Sequence, residues 1–240
     1  ATIKHKQGAA DAKRGKIFTK LIKEISIAAR LGGGDINANP RLRNAVLKAR
    51  TANMPKDNVD RAIKKGLGEL EGVDYQEITY EAYGPGGVAV MIDVLTDNKN
   101  RTAADIRYIL NRGGGNLGET GCVSYLFKRK GIIGFDAEKY TEDQVLEVAL
   151  EAGAEDVSKE GGTIEVVTDP DDFEKVMNAL EKAGLERISA EITKVADAYV
   201  TLDNEKTGKA VKLIENLDDH DDVQSVSSNL DIPEDYEPEE

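Results

Sequence analysis

The chain has 240 residues, of which 40% are hydrophobic and 5% aromatic, and it carries a formal net charge of −13 at pH 7. This length suffices for two or three domains with cores of their own. No run approaches the roughly 20 apolar residues that a membrane helix needs, and the first residues lack the pattern of a secretory signal, so we expect a cytoplasmic protein. The single cysteine, Cys122, excludes an internal disulfide, and we expect it to be a buried or half-buried strand residue.

The charged residues are distributed unequally along the chain. The first 68 residues hold 16 of the 32 Lys and Arg residues but only five of the 45 acidic residues, which gives this segment a net charge of +11. The other 172 residues hold 16 basic and 40 acidic residues, a net charge of −24. We call residues 1–68 the basic head and the rest the acidic body. Such asymmetry is typical of a chain in which one part contacts nucleic acid while another part repels it.

Hydrophobic spacing and helix-end signals predict three helices in the basic head, over residues 11–31, 39–52 and 54–66. In the first helix, apolar residues recur at spacings of three and four, and lysines lie on the opposite face. Asn39 and Pro40 are suited to the cap and the first position of the second helix. Gly66 ends the third helix. Each helix would pack through an apolar stripe and expose cationic edges.

These exposed cations predict a surface for nucleic-acid phosphates. A solvated helix surface is the simpler interpretation of any single lysine, but a net charge of +11 is not needed for the solubility of an acidic protein. Arg41 or Arg43, near a helix start, could reach a guanine edge in a major groove. Because aromatic residues are scarce, we expect backbone contacts rather than base stacking. The predicted nucleic-acid-binding residues are Lys4, Lys6, Lys13, Arg14, Lys16, Lys20, Lys23, Arg30, Arg41, Arg43, Lys48 and Arg50.

The acidic body shows a mixed α/β pattern. Strands are predicted over residues 78–83, 88–95, 123–127, 131–135, 163–168, 186–195, 198–202 and 223–229, and helices over residues 101–111, 142–152, 171–183 and 204–217. Two helices over an antiparallel sheet is the ferredoxin-like pattern, and the body has the elements for two such units. The predicted fold is therefore α+β, with a helical amino-terminal domain (1–74), a ferredoxin-like α/β domain (75–133 with 198–240), and a second such domain (134–197) inserted into the first.

Catalytic, nucleotide and metal sites are not indicated by the sequence. The glycine clusters at residues 32–34, 84–87 and 113–115 lack the spacing of phosphate-binding loops and predict turns. The sequence shows no Ser, His and Asp residues that suggest a catalytic triad. His220 lies in the acidic run 218–222, where a metal is conceivable but a solvated loop is favoured, since His5 is far away in sequence. We expect no catalytic residue, no metal site and no cofactor.

Several ordered motifs resemble one known family along nearly the whole chain. The opening segment IKHKQGAADAKRGKIFTKLI (residues 3–22) is followed by GGGD (32–35), NPRLR (39–43), NMPKDN (53–58), YEAYGPGG (80–87) and TDNKNRT (96–102). This series is similar to that of the YebC/PmpR family. The resemblance implies a helical domain followed by two α/β domains, the second of the three completed by the carboxy-terminal segment. Members of the family carry a short additional segment with His and Trp before the position of Ala1.

The resemblance also implies a function. The family is described as cytoplasmic, DNA-binding transcriptional regulators, while mitochondrial relatives activate translation and bacterial ones are linked to ribosomes and to proline-rich stretches. It is not known as an enzyme family. The first hypothesis is therefore a DNA-binding regulator of transcription, and the second is a ribosome-associated factor whose head binds ribosomal RNA. An enzyme is a third, disfavoured hypothesis. The expected partners are DNA or ribosomal RNA and the ribosome, with no membrane and no small-molecule substrate.

Overall fold

The computed structural model describes residues 10–233 and 236–237, with the side chains described from residue 15 onward. Two predicted contact residues, Lys4 and Lys6, lie outside this range, as do the side chains of Lys13 and Arg14. Within the described part of the chain, no helix is long and apolar enough to cross a membrane.

The elements follow one another as an all-helical segment and then alternating strands and helices. In chain order they are α1 (Ala10–Gly32), α2 (Pro40–Thr51), α3 (Lys56–Gly66), β1 (Gln76–Tyr83), β2 (Ala89–Thr96), α4 (Lys99–Arg112), β3 (Asn116–Leu117), β4 (Phe127–Asp136), α5 (Glu142–Ala152), β5 (Asp156–Glu160), β6 (Thr163–Thr168), α6 (Phe173–Lys182), β7 (Arg187–Ala196), β8 (Val200–Thr201), α7 (Asn204–Asp218), β9 (Val223–Ser228) and β10 (Leu230–Asp231). The predicted α+β class, with a helical amino-terminal region, is confirmed.

The helices of the basic head pack around a small apolar core that includes Ile25 and Leu42. Asn39 joins α1 to α2, because its Nδ2 donates to the carbonyl oxygens of Ala28 and Gly33, both at 2.8 Å, while its Oδ1 caps α2. A Cβ at Gly66 would collide with the carbonyl oxygen of Ser26, so glycine is needed for the end of α3 to approach α1. The three predicted helices of the head are present.

Two four-stranded antiparallel sheets and a short parallel pair, β8 with β10, form the acidic body. The first sheet has the order β3-β1-β2-β9. The second sheet has the order β5-β6-β4-β7, which is that of a ferredoxin-like unit. The apolar faces of α4 and α7 cover the first sheet, and those of α5 and α6 cover the second. Strand β2 is buried on both faces, since its residues Ala89 and Met91 pack with Phe127 of β4. This shared cluster joins the two sheets.

The predicted strands around residues 123–135 need correction. In place of two strands, the structure has a 3-10 turn at Ser124–Leu126 and one continuous strand, β4. Residues 128–130, three consecutive cations between the two predicted strands, belong to β4 because they pair with β7, while pairing with β6 begins at Gly131. Strand β4 also crosses the predicted division between residues 133 and 134. The assignment of domains to these residue ranges stays a prediction.

Candidate nucleic-acid interface

The basic face of α1 lies against an acidic loop of the body. Lys16 Nζ is 2.6 Å from Asp219 Oδ1, Lys20 Nζ is 3.6 Å from Asp218 Oδ1, and Lys23 Nζ is 2.9 Å from Asp222 Oδ1. We call residues 218–222, which lead from α7 to β9, the acidic loop. The lysine side chains become less exposed from Lys16 to Lys23: 41% of the Lys16 side chain is accessible, but only 8% of the Lys23 side chain. Three predicted phosphate ligands are therefore neutralised within the molecule.

Asp222 is the centre of this contact. Its Oδ1 accepts from Lys23 Nζ, and its Oδ2 accepts from Arg101 Nη2 at 2.9 Å and from Thr102 Oγ1 at 2.8 Å. Burial alone would raise the pKa of Asp222, but the hydrogen bonds from Lys23, Arg101 and Thr102 outweigh it and lower the pKa to about 2. The carboxylate therefore stays charged at any physiological pH and ties the head to the body.

The motif at residues 96–102 builds the body side of this contact. Asn98 caps α4 by accepting from the backbone N–H of Arg101 at 3.1 Å, and Thr102 Oγ1 donates to Thr96 Oγ1 or to Asp222. The cap places Arg101 and Thr102 in the first turn of α4, where both reach Asp222. The motif thus has a structural role that its sequence did not indicate.

Arg41 is held between two carboxylates. Its Nε and Nη2 donate to the two oxygens of Glu24 at 2.7 and 3.1 Å, and Nη2 also donates to Glu77 Oε1 at 2.5 Å. Burial alone would lower the pKa of Arg41, but the hydrogen bonds to Glu24 and Glu77 raise it above its usual value. This guanidinium links α1 and α2 to the start of β1, and it is not free to read a guanine edge in this arrangement.

Arg43 connects the head to the second sheet unit. Its Nε and Nη2 donate to the two oxygens of Glu174 at 2.8 and 2.7 Å, and its Nη1 donates to the carbonyl oxygen of Ile36. Two other predicted residues make longer or more exposed pairs: Lys48 Nζ is 3.8 Å from Glu191 Oε2, and Arg30 Nη1 is 3.1 Å from Asp74 Oδ1. Of the eight predicted cations with described side chains, all but Arg50 therefore have an acidic partner within 4 Å.

Among the described residues, the cations of the head that have no acidic partner lie on α2 and α3. Arg50 is exposed, as the prediction requires, and the structure adds four exposed cations on α3 that were not predicted as contacts. None of these five cations has an acidic partner within 4 Å among the described residues. The four cations of α3 share a half-circle of that helix with Asp57 and Asp60. The members of this α2–α3 surface are Arg50, Lys56, Arg61, Lys64 and Lys65. Lys64 and Lys65 lie in the last turn of α3, at the negative end of the helix dipole.

The motif at residues 80–87 also proves structural. The buried carboxylate of Glu81 accepts the backbone N–H groups of Gly121 at 2.5 Å, Val123 at 3.0 Å and Ser124 at 2.6 Å. Burial alone would raise the pKa of Glu81, but these hydrogen bonds lower it. The motif thereby fixes the turn before β4. Cys122 lies in this turn and is half-buried, so its predicted position in a strand is wrong.

His220 is not the solvated loop residue that its neighbours suggested. Its side chain is largely covered, its Nε2 lies 3.1 Å from Asp105 Oδ2, and its Nδ1 accepts the backbone N–H of Asp222 at 3.1 Å. The acidic loop is thus held in shape by hydrogen bonds. Across the described residues, no group of three or more His, Cys, Asp or Glu side chains is placed to hold a metal ion.

Comparison with known proteins adds relatives over the whole length. The family model described as the TACO1/YebC protein N-terminal domain matches residues 1–69, and the one described as the TACO1/YebC second and third domain matches residues 75–230. A probable transcriptional regulatory protein of Treponema denticola is 62% identical over 237 residues, covering 99% of this chain and 96% of the relative. A relative of the same description from Borreliella afzelii is 57% identical over 234 residues, covering 98% and 96%.

A solved structure shows the same architecture. The crystal structure of a conserved hypothetical protein from Aquifex aeolicus matches with a TM-score of 0.89 and 49% sequence identity, covering 98% of this chain and 97% of that chain. The resemblance found in the motifs is confirmed by these matches. Since the family models and the curated relatives both span nearly the whole sequence, the chain belongs to the TACO1/YebC family.

Proposed function

We propose that the protein is a cytoplasmic, nucleic-acid-binding regulator of gene expression, in the first place a DNA-binding regulator of transcription, and not an enzyme. The description of its relatives as probable transcriptional regulatory proteins supports this proposal. The observation that carries it is the α2–α3 surface, a group of exposed cations on a chain whose net charge is −13. Phosphate groups are the natural ligands of such a surface.

The predicted contact residues contribute unequally to this proposal. Arg50 and the cations of α3 are free to approach phosphate. Lys16 and Lys20 would have to exchange a carboxylate for a phosphate, while Lys23 is buried in its ion pair. Lys4 and Lys6, which precede α1 in sequence, and Lys13 and Arg14, near the start of α1, also belong to the predicted surface.

Binding of a labelled DNA duplex by the full chain, followed by fluorescence anisotropy over a series of salt concentrations, tests the proposal. The variant Arg61→Glu/Lys64→Glu/Lys65→Glu should lose most of the affinity and should show a shallower dependence on salt. The matched control is Lys175→Glu/Lys182→Glu/Lys206→Glu, which reverses three exposed lysines of the body. This control variant changes the net charge by the same amount, and we expect it to keep its affinity for the duplex. Equal losses in both variants would contradict a specific surface.

Ribosomal RNA is the second candidate target, favoured by the positions of Arg41 and Arg43. Both guanidinium groups are held by carboxylates, so the head offers phosphate contacts without these base-edge contacts. Recognition of phosphates and shape suits structured RNA. Co-sedimentation with ribosomes after nuclease removal of messenger RNA would support this candidate. A preferred duplex sequence in a selection from random DNA would instead support transcription.

A further inference from the structure

The exposed face of α4 is free of acidic residues, although α4 belongs to a body of strongly negative charge. At 100° per residue, its exposed positions fill somewhat more than half of the helix circumference. The one acid of the helix, Asp105, lies at the edge of this face and contacts His220. We call this set the α4 face: Lys99, Asn100, Arg101, Ala104, Arg107, Tyr108, Asn111 and Arg112.

Three of the four cations on the α4 face are available to a ligand. Arg101 is engaged by Asp97 and Asp222. No acidic group lies within 4 Å of Lys99, Arg107 or Arg112 in the described part of the chain. An anionic partner would therefore meet positive charge without first displacing a carboxylate, unlike a partner that approaches α1.

Tyr108 gives the α4 face an open aromatic ring. Tyr108 is 61% exposed. Arg112 holds it, because Nη1 donates to Tyr108 Oη at 3.0 Å and the guanidinium carbon lies 5.8 Å from the ring centroid. A ring fixed at its edge with accessible surface is suited to stacking on a planar group.

The α4 face is continuous with the surroundings of α1. Arg101 and Asp105 of α4 line the same open cleft as Lys16 and Thr19 of α1. Five aspartates also line this cleft, namely Asp97, Asp105, Asp219, Asp221 and Asp222, so the cleft repels a polyanion and marks the edge of the α4 face.

We propose that the α4 face binds an unpaired segment of a structured RNA. Tyr108 stacks on an unstacked base, Lys99, Arg107 and Arg112 contact the phosphates on either side, and the amides of Asn100 and Asn111 bond to base edges or ribose hydroxyls. An acidic peptide would use the cations alone, whereas the ring and the two amides match the faces and edges of bases. A duplex keeps its bases stacked and would use only the cations. The inference goes beyond the proposed function of the head, because it places a contact of a different kind on the body.

The test uses the full chain, an RNA hairpin with an unpaired loop, and an RNA duplex of the same length. Tyr108→Ala should weaken hairpin binding by about 5- to 100-fold, the range expected for loss of one stacked base, and should leave duplex binding unchanged. Tyr108→Phe is the matched control, since it keeps the ring and should retain most of the affinity. Arg107→Glu/Arg112→Glu should also weaken hairpin binding and lower its salt dependence. Thermal melting checks that these exposed substitutions leave the fold intact.

Unchanged hairpin affinity in Tyr108→Ala would overturn the inference. It would also be overturned if single-stranded DNA of the same sequence bound as tightly as RNA, or if polyglutamate displaced the hairpin at equal charge concentration. The triple α3 variant separates this inference from the proposed function. If that variant alone loses affinity, the head proposal stands and the α4 face is rejected; if only the α4 variants lose affinity, the reverse holds.

Discussion

The cationic face of α1 and the exposed face of α4 show opposite relations between charge and accessibility. The lysines of α1 belong to the most basic part of the sequence, yet the fold places them against the acidic loop. The cations of α4 belong to the acidic body, yet Lys99, Arg107 and Arg112 face outward with no acid in contact among the described residues. In a chain with excess acid, the segment with the highest positive charge is the one that the body neutralises best.

The two ends of the α1 contact should also differ in energy. Lys16 and Asp219 are accessible, and exposed pairs of this kind contribute little. Lys23 and Asp222 are removed from water, where loss of one partner leaves an uncompensated charge. Substitutions at Asp222 and at the exposed pairs therefore test how much each pair contributes to the free energy of unfolding.

The largest effect is expected for Asp222→Asn. This change leaves Lys23 Nζ buried without its carboxylate and removes the charged acceptor of Arg101, so the free energy of unfolding should fall by about 3–5 kcal/mol. Urea denaturation measures the loss. Asp219→Asn in the same loop is the control and should cost less than about 1 kcal/mol. Similar small losses for both variants would show that the buried pair does not hold the head in place.

A smaller loss of stability is expected when the pH is lowered. The folded pKa of Asp222 is about 2, below the value of about 3.9 for an unfolded chain, so its contribution is complete above about pH 4 and is lost as the pH falls through 2. The shift corresponds to on the order of 2 kcal/mol. Urea denaturation of the wild-type protein and Asp222→Asn at several pH values should show a stability difference that shrinks by this amount between pH 4 and 2. A difference independent of pH would contradict the assignment.

The contact of the head with the second sheet unit should contribute less. Glu174→Gln removes the charge that faces Arg43 and should reduce the free energy of unfolding by about 1 kcal/mol or less, because both side chains are about one-third exposed. Hydrogen exchange of α2 measures whether the loss is local. Asp171→Asn, an exposed acid that precedes α6, provides the control. Equal protection of α2 in all three proteins would argue against a role for this pair in docking.

The smallest effect is expected for nucleic-acid binding by Asp219→Asn. The change frees Lys16 from a competing carboxylate, so affinity for duplex DNA should rise by about two- to fivefold at low salt. Anisotropy titration measures it. Glu205→Gln, which frees Lys209 on the body, changes the charge equally and should leave affinity unchanged or raise it less. A lower affinity in Asp219→Asn would mean that the acidic loop helps binding rather than competing with it.

Much of the fold could be predicted from the sequence, because the signals for helix ends and strands are local. Asn39 and Pro40 start α2, glycines end helices, and the alternation of strands and helices indicates the α/β body. The ordered motifs indicated the family before any fold was known. The continuous strand β4 was not predicted, because residues 128–130 are held in it by pairing with β7, a strand far along the chain.

The candidate site was harder to predict from the sequence, because periodicity shows which face of a helix is cationic but not what lies against that face. Lys23 and Asp222 are 199 residues apart in sequence, and their contact depends on how α1 docks on the body. Arg50 was predicted and is exposed, whereas Arg41 and Arg43 were predicted and are held by carboxylates. The sequence alone therefore determined the helices, the family and the unequal charge. Only the tertiary structure decided which cations remain accessible, because accessibility depends on contacts between segments distant in the chain.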